Sequence, residues 1–196
     1  MKVERVSYDV MTPSAARAII EAIYWHPGLR YHIDKIYLLN PVKFVNVRRN
    51  EVAGVLSANS AFTALKNDKQ IALYASDQRQ QRAAMILKDV HYVIEAHFSM
   101  TEKATAADSP EKFQSILTRR VSKGQCYSQP YFGCREFPVN FREWTEGEVP
   151  TLPITQDLGY MLYDMDYSNP ENIKPKFFWA KLVDGVMNTK DCEVFM

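Results

Sequence analysis

VHYVIEAHFSM, residues 90–100, alternates without a break. Val90, Tyr92, Ile94, Ala96, Phe98 and Met100 take one face, and His91, Val93, Glu95, His97 and Ser99 take the other. A period of two held over this length describes a β-strand buried on one side. Its second face is polar, so the strand belongs in an antiparallel sheet with one side open. His91 and His97 are separated by about 20 Å along an extended chain, too far to share one metal ion.

Working outward toward the N-terminus, DQRQQRAAMIL (residues 77–87) reads as a short helix with Arg79 and Arg82 three apart on one side. Residues 52–76 show no periodicity that assigns an element. Tyr31 to Leu39 and Val42 to Val47 are β-rich runs, expected to pair as a hairpin across Asn40-Pro41, the second leading into Arg48 and Arg49. Ahead of them Thr12 is an N-cap residue followed by Pro13 at the first helical position. Ala16, Ile19, Ile20 and Ile23 then fall on one face, predicting a helix over 13–26 that ends at Pro27-Gly28. Its last turn, Tyr24-Trp25-His26, is unusual for an apolar face. Tyr24 lies at the margin, able to pack its ring and show its hydroxyl, and Trp25 points away.

Toward the C-terminus, Ser109 and Pro110 open a second helix with Phe113, Ile116, Leu117 and Val121 as its core face and Gly124 as its stop. Lys112, Arg119 and Lys123 line up beside that face as a basic stripe. Beyond it, residues 134–144, 158–167 and 176–183 are strand candidates, and Asp184-Gly185 between two valines signals a two-residue turn. The order resembles the β-α-β-β-α-β unit, which needs a strand before the first helix; residues 2–10 either supply a short one or leave it absent. The expectation is an α+β chain with two parts, residues 1–124 and a small antiparallel sheet subdomain over 125–196.

Composition prunes the functions. The 196 residues are 46% hydrophobic and 24% charged with a formal net charge of +1, enough apolar material for a real core. No run is long enough for a membrane span and MKVERVSYDV is not a secretory signal, so a cytoplasmic protein is expected. Cys126, Cys134 and Cys192 show no CxxC spacing and read as reduced, packed thiols. Residues 1–124 carry 18 Lys+Arg against 12 Asp+Glu, and residues 125–196 carry 6 against 11, so the first part is the one suited to face a polyanion. The dinucleotide, phosphate-loop, zinc-protease and serine-hydrolase motifs are absent. Asp164 and Asp166 could share a strand face and hold a divalent ion, but an acidic surface explains them as well; no metal and no cofactor is expected. A positive helix stripe, Arg48, Arg49, Arg79, Arg82, many tyrosines and an open sheet face are the parts used to hold single-stranded RNA.

KVERVSYDVMTPSAARAIIEAIYWHP, NPVKFVNVRRNEV, RQQRAAMILKDVHYVIEAHF, PEKFQSILTRRVSKGQ, FGCREFP and LGYMLYDMDY together resemble the CRISPR-associated Cas5 family, d subtype, of type I-C systems. The resemblance runs in order over nearly the whole chain. In that family a strand with a WGDYA-like stretch precedes the segment matching KVERVSYDV. The resemblance implies a RAMP-superfamily, ferredoxin-like (RRM-like) RNA-binding domain followed by a β-rich part. It also implies a metal-independent endoribonuclease that cuts precursor CRISPR RNA at the base of the repeat hairpin. The enzyme then stays on the 5′ handle of the mature guide as a subunit of type I-C Cascade. The implied partners are precursor and mature CRISPR RNA and the Cascade backbone and large subunits, with duplex DNA a further candidate and no membrane. The alternative class is a guide-RNA-binding subunit that does not cut.

Residue by residue, the tyrosine of the family's IYW motif matches Tyr24 and the lysine of its KH pair matches Lys112. The histidine of that pair is Phe113 here. His26 and His97 are the candidate imidazoles to replace it, and Lys112 is expected to lower the Tyr24 pKa. Arg48, Arg49, Arg79, Arg82, Arg119 and Lys123 are the expected RNA contacts.

Overall fold

The computed structural model of the chain describes residues 5–196. In order these form β1 (Arg5–Val6), α1 (Pro13–Ile23), β2 (Leu29–Leu38), β3 (Phe44–Val52), α2 (Ala58–Lys66), β4 (Arg79–Leu87), β5 (Tyr92–Met100), α3 (Pro110–Ser122), β6 (Gln156–Asp166), β7 (Lys174–Leu182), β8 (Val186–Asn188) and β9 (Val194–Phe195). The fold is mixed α+β. Its contacts divide it into two compact units, one of residues 5–7 and 43–88, the other of 8–42 and 89–196. This is a different division from the expected 1–124 and 125–196.

The smaller unit is one sheet in the order β1-β4-β3, with β1 parallel and β3 antiparallel to β4. Here two expectations are corrected. The run from Asp77 to Leu87 is not a helix: residues 79–87 form β4, paired residue for residue with 44–52 from Phe44↔Leu87 to Val52↔Arg79. Gln, Arg, Ala, Met and Leu all favour helices, but β3 offers a full ladder of backbone partners, and pairing overrides local propensity. Nor do β2 and β3 form the expected hairpin: β3 pairs with β4, and β2 lies between β5 and β8. The segment ahead of α1 does supply a short strand, and β1 joins β4; residues 2–4 of that segment lie outside the described residues.

The larger unit holds two sheets, β5-β2-β8 and β6-β7-β9, with α1 packed on β2 and β6. Helix α1 starts as expected, with Thr12 Oγ1 accepting from the Ala15 N–H at 3.2 Å and Pro13 just inside. Its buried face, Ala16 and Ile19, meets Ile33, Ile36 and Leu38 of β2 and Met161, Phe178, Ala180 and Leu182 of the second sheet in one core. Strand β5 keeps the expected alternation in part: Tyr92 and Ile94 pack on that core and Phe98 on a second cluster, while Ala96 and Met100 are exposed. Asp184 and Gly185 both have positive φ, 48° and 74°, and reverse the chain between Val183 and Val186. The turn hands the chain from β7 in one sheet to β8 in the other.

Residues 134–144, expected as a strand, carry only an isolated bridge between Tyr131 and Pro138. Pro138 has no N–H to extend a ladder. The stretches 158–167 and 176–183 are strands, extended to 156–166 and 174–182. Among the described residues no helix is long and apolar enough to cross a membrane, and Cys126, Cys134 and Cys192 are all free.

Candidate active site at the end of the first helix

Helix α1 stops three residues earlier than its pattern predicts. Tyr24 is extended, with φ −149° and ψ 121°. Two causes are visible. His26 precedes Pro27, which disfavours helical backbone. The last carbonyls also find partners elsewhere: Arg120 Nη1 donates to the Ile23 oxygen at 2.7 Å, and the Tyr127 and Ser128 N–H groups donate to Ala22. Tyr24 therefore turns inward. Its side chain is buried, at 7% exposure, in a cluster with Leu29, Tyr31 and Phe113, and Tyr31 Oη donates to its carbonyl at 3.0 Å. Trp25, expected to point away from the apolar face, is exposed.

Helix α3 brings the second group. Ser109 caps it by accepting from the Lys112 N–H, with Pro110 in the first turn. Phe113 is fully buried and tilts against the Tyr24 ring, centroids 6.2 Å apart. Its neighbour Lys112 is exposed, its Nζ donating to the Ala107 carbonyl at 3.0 Å and to Asp108 Oδ1 at 2.9 Å. An ammonium has three N–H groups, so one remains for an incoming anion. Asp108 also accepts from the Thr105 N–H at 3.0 Å and the Thr105 hydroxyl at 2.8 Å. The Thr105 backbone bond, with the Lys112 bond next, holds its carboxyl well below the usual range.

His26 completes the group. Its ring lies 4.9 Å from that of Phe113, and its Nδ1 accepts from the Gly28 N–H at 3.1 Å. That bond assigns the proton of the neutral ring to Nε2. A side chain on Gly28 would sit 2.9 Å from the Ala104 backbone and 3.2 Å from His26 Nδ1, so the close approach requires glycine. Arg120, which the sequence reading did not select, has its guanidinium 5.0 Å from the centre of the Tyr24 ring. Its spacing of seven from Phe113 places both on one helix face, a signal that was available.

The expected fall in the Tyr24 pKa is not found. Burial, the largest influence, raises it; Lys112 and Arg120 pull it down without offsetting burial, and Asp108 pushes it further up. Lys112 acts on the phenol as expected, but desolvation of phenolate outweighs it.

Arg48, Arg49, Arg79 and Arg82 belong to the smaller unit. Arg49 and Arg82 stand opposite each other, and Arg82 and Arg5 both reach Glu51. Arg79 and Arg82, taken as sharing a helix face, are on opposite faces of a strand. Arg119 on α3 and Lys123 at its C-cap are exposed. His97 lies on the open sheet face with Asp34, and His91 is exposed. Asp164 is taken by Arg17 and Asp166 by Lys176, and among the described residues no group of His, Cys, Asp or Glu is arranged to hold a metal.

A phenol, an imidazole and two cations are thus neighbours at one helix junction of an α+β fold. The same fold is found in a CRISPR-associated protein of known crystal structure (TM-score 0.69, 22% identity, covering 98% of this chain and 88% of that one). It is found again in a functionally uncharacterized protein from Streptococcus mutans (TM-score 0.69, 24% identity, 97% and 87% covered). The chain belongs to the Cas5d family, described as CRISPR-associated protein (Cas_Cas5), whose model matches residues 1–189. Two relatives named CRISPR pre-crRNA endoribonuclease Cas5d are similar to it. That of Mannheimia succiniciproducens is 46% identical over 96% of this chain and 86% of its own length. That of Thermus thermophilus is 41% identical over 85% of this chain and 66% of its own length.

Proposed function

We propose that this chain is a CRISPR pre-crRNA endoribonuclease. It cuts the repeat at the base of its hairpin and stays on the 5′ handle as a type I-C Cascade subunit, working in the cytoplasm on a ferredoxin-like, RAMP-type frame. Family membership and the names of both relatives support the class. The observation that carries the mechanism is the gathering of Tyr24, Lys112 and His26 around Phe113.

The ribose 2′-hydroxyl attacks the adjacent phosphorus, forming a 2′,3′-cyclic phosphate and releasing the 5′-oxygen. Tyr24 Oη takes the 2′ proton as phenolate. The free N–H of Lys112 stabilises the charge on the phosphorane oxygens, with Arg120 behind it. His26 Nε2–H donates a hydrogen bond to the departing 5′-oxygen, which takes its proton from water, and the hydroxide left behind returns Tyr24 to phenolate. His26 thus does the work of the histidine that Phe113 replaces, and Phe113 becomes the surface against which the imidazole is held. Arg48, Arg49, Arg79, Arg82, Arg119 and Lys123 contact the RNA backbone. The Cascade backbone and large subunits, and duplex DNA, are its further partners.

The test is incubation with the cognate repeat RNA in EDTA, followed by end-group analysis. Cyclic phosphate and 5′-hydroxyl ends, lost in Tyr24→Phe, are expected; undiminished cutting by both Tyr24→Phe and Lys112→Ala would remove these residues from the mechanism. One observation favours a second reading, a guide-binding subunit that does not cut: Phe113 stands where the family's pair has histidine. Tight RNA binding with no cyclic-phosphate product would select it.

A further inference from the structure

The open face of the β5-β2 pair carries a cluster that the cleavage centre does not use. Arg30 stands opposite Ser99, and His32 opposite His97. The two imidazoles are stacked, ring centres 5.0 Å apart and planes within 15°. His97 Nδ1 is held by the Asp34 carboxylate at 2.8 Å, although the His97 side chain is 57% exposed and that of Asp34 only 12%. His32 Nε2 bonds Ser99 Oγ at 2.8 Å. Among the described residues His97 Nε2 has no hydrogen-bond partner.

The neighbouring charges are mostly neutralised. Lys35 and Tyr37 are both bound to Glu95, and Arg17, which lines the same notch as Arg30 and His32, is bound to Asp164 and Glu21. The Arg30 side chain is exposed and makes no hydrogen bond or ion pair among the described residues, though its charge acts on Glu21. An unpaired guanidinium beside a stacked, solvent-facing imidazole pair is a combination suited to a phosphate with an unstacked base next to it.

The position relates this cluster to the proposed centre. Strand β2 begins at Leu29, directly after the Tyr24–Gly28 segment. Tyr31, between Arg30 and His32, packs into the Tyr24 cluster from the opposite face. The two sites are thus back to back across one sheet, at the same end of one strand.

We propose that Arg30 receives a phosphodiester of the single strand flanking the cleavage point, and that the His32–His97 stack is the platform for its base, whose exocyclic N–H can donate to His97 Nε2. The RNA would pass from the Tyr24 centre over the Gly28 end of the sheet. This rests on the RNA-processing reading above.

The test uses the full chain and a repeat RNA with 2′-fluoro riboses, which lacks the attacking hydroxyl. Affinity is measured by fluorescence anisotropy at several KCl concentrations. Arg30→Ala is expected to weaken binding about five- to tenfold, the scale of one charge-assisted contact. It should also lower the slope of log affinity against log salt by about 0.7, one phosphate on a single strand. Arg30→Lys should restore the slope, and His97→Gln should weaken binding without changing it. Circular dichroism of each variant checks the fold. Parental affinity and slope in both Arg30→Ala and His97→Gln would overturn the proposal while leaving the processing reading intact. Absence of both binding and cutting of natural repeat RNA by the parent would overturn both.

Discussion

The His26 ring rests on Phe113, 4.9 Å between centres, and Phe113 is the residue directly after Lys112. Two side chains far apart in sequence thus share the place where the family's pair has a lysine and a histidine. If His26 stabilises the departing 5′-oxygen, His26→Ala lowers the single-turnover rate by about 10²- to 10³-fold. In that background Phe113→His is expected to recover part of the loss, because it returns an imidazole to the same spot. Alone, Phe113→His buries a polar ring without a partner and costs about 2 kcal/mol, read as a lower melting temperature. No recovery in the double variant, with its fold intact, would show that the position of the ring nitrogen and not merely the presence of imidazole is decisive.

The second prediction concerns pH. Burial holds the Tyr24 phenol above its ordinary value, which is about 10. The phenolate is then a small fraction at neutral pH and grows tenfold for each pH unit below that pKa. Single-turnover cleavage should therefore rise with pH at a slope near one across the neutral and mildly alkaline range, and the rise should vanish in Tyr24→Phe. Lys112→Ala removes a charge that favours phenolate, so its residual rate should rise at still higher pH. A flat profile from pH 6 to about 9 would rule out phenolate as the base.

The third prediction separates positioning from chemistry. Asp108 touches no reacting atom in the proposed mechanism; it anchors Lys112 Nζ and is itself tied to Thr105. It also raises the Tyr24 pKa through its charge. Asp108→Asn should have two opposite effects: a loss of about tenfold in rate as the ammonium wanders, and a shift of the rising limb toward lower pH. A purely structural residue would lower the rate without moving the limb. Rate against pH for the two proteins decides it.

What was legible in the sequence was local. The start of α1 is written in Thr12-Pro13, α3 in Ser109-Pro110 and Gly124, β5 in strict alternation, and the turn before β8 in Asp184-Gly185. Each depends on backbone chemistry within a few residues. The illegible parts depend on partners distant in the chain. RQQRAAMIL has helix-forming composition and becomes a strand because Phe44–Val52 pairs with it. The end of α1 moved because Arg120 and Tyr127 take its last carbonyls. The site followed the same rule. Tyr24 and Lys112 were found by resemblance, but the depth of Tyr24, which reverses its expected pKa shift, is a matter of how Leu29, Tyr31 and Phe113 close over it. Spacing puts Arg120 on the Phe113 face of α3, but its partner, the Tyr24 ring, stands at the end of another helix and is not visible from that spacing.

The last prediction is about stability. Gly185 has φ +74°, and a Cβ there would lie 2.5 Å from the Leu152 carbonyl oxygen and 3.0 Å from the Leu152 nitrogen, both backbone atoms. The Gly185 carbonyl also accepts from the Leu38 N–H at 2.8 Å, and its N–H donates to Ile154 at 2.8 Å. This one residue therefore joins the end of β2, the 152–154 segment and the turn from β7 to β8. Gly185→Ala must bear both the left-handed backbone, about 1–2 kcal/mol, and a clash that no flexible side chain can relieve. A loss of roughly 3 kcal/mol in all is expected, as a drop of several degrees in melting temperature. Asp184→Gly, in the same turn, relieves a positive φ of 48° and should leave stability unchanged or slightly higher. If Gly185→Ala melts with the parent, the turn is not the rigid joint between the two sheets that its contacts describe.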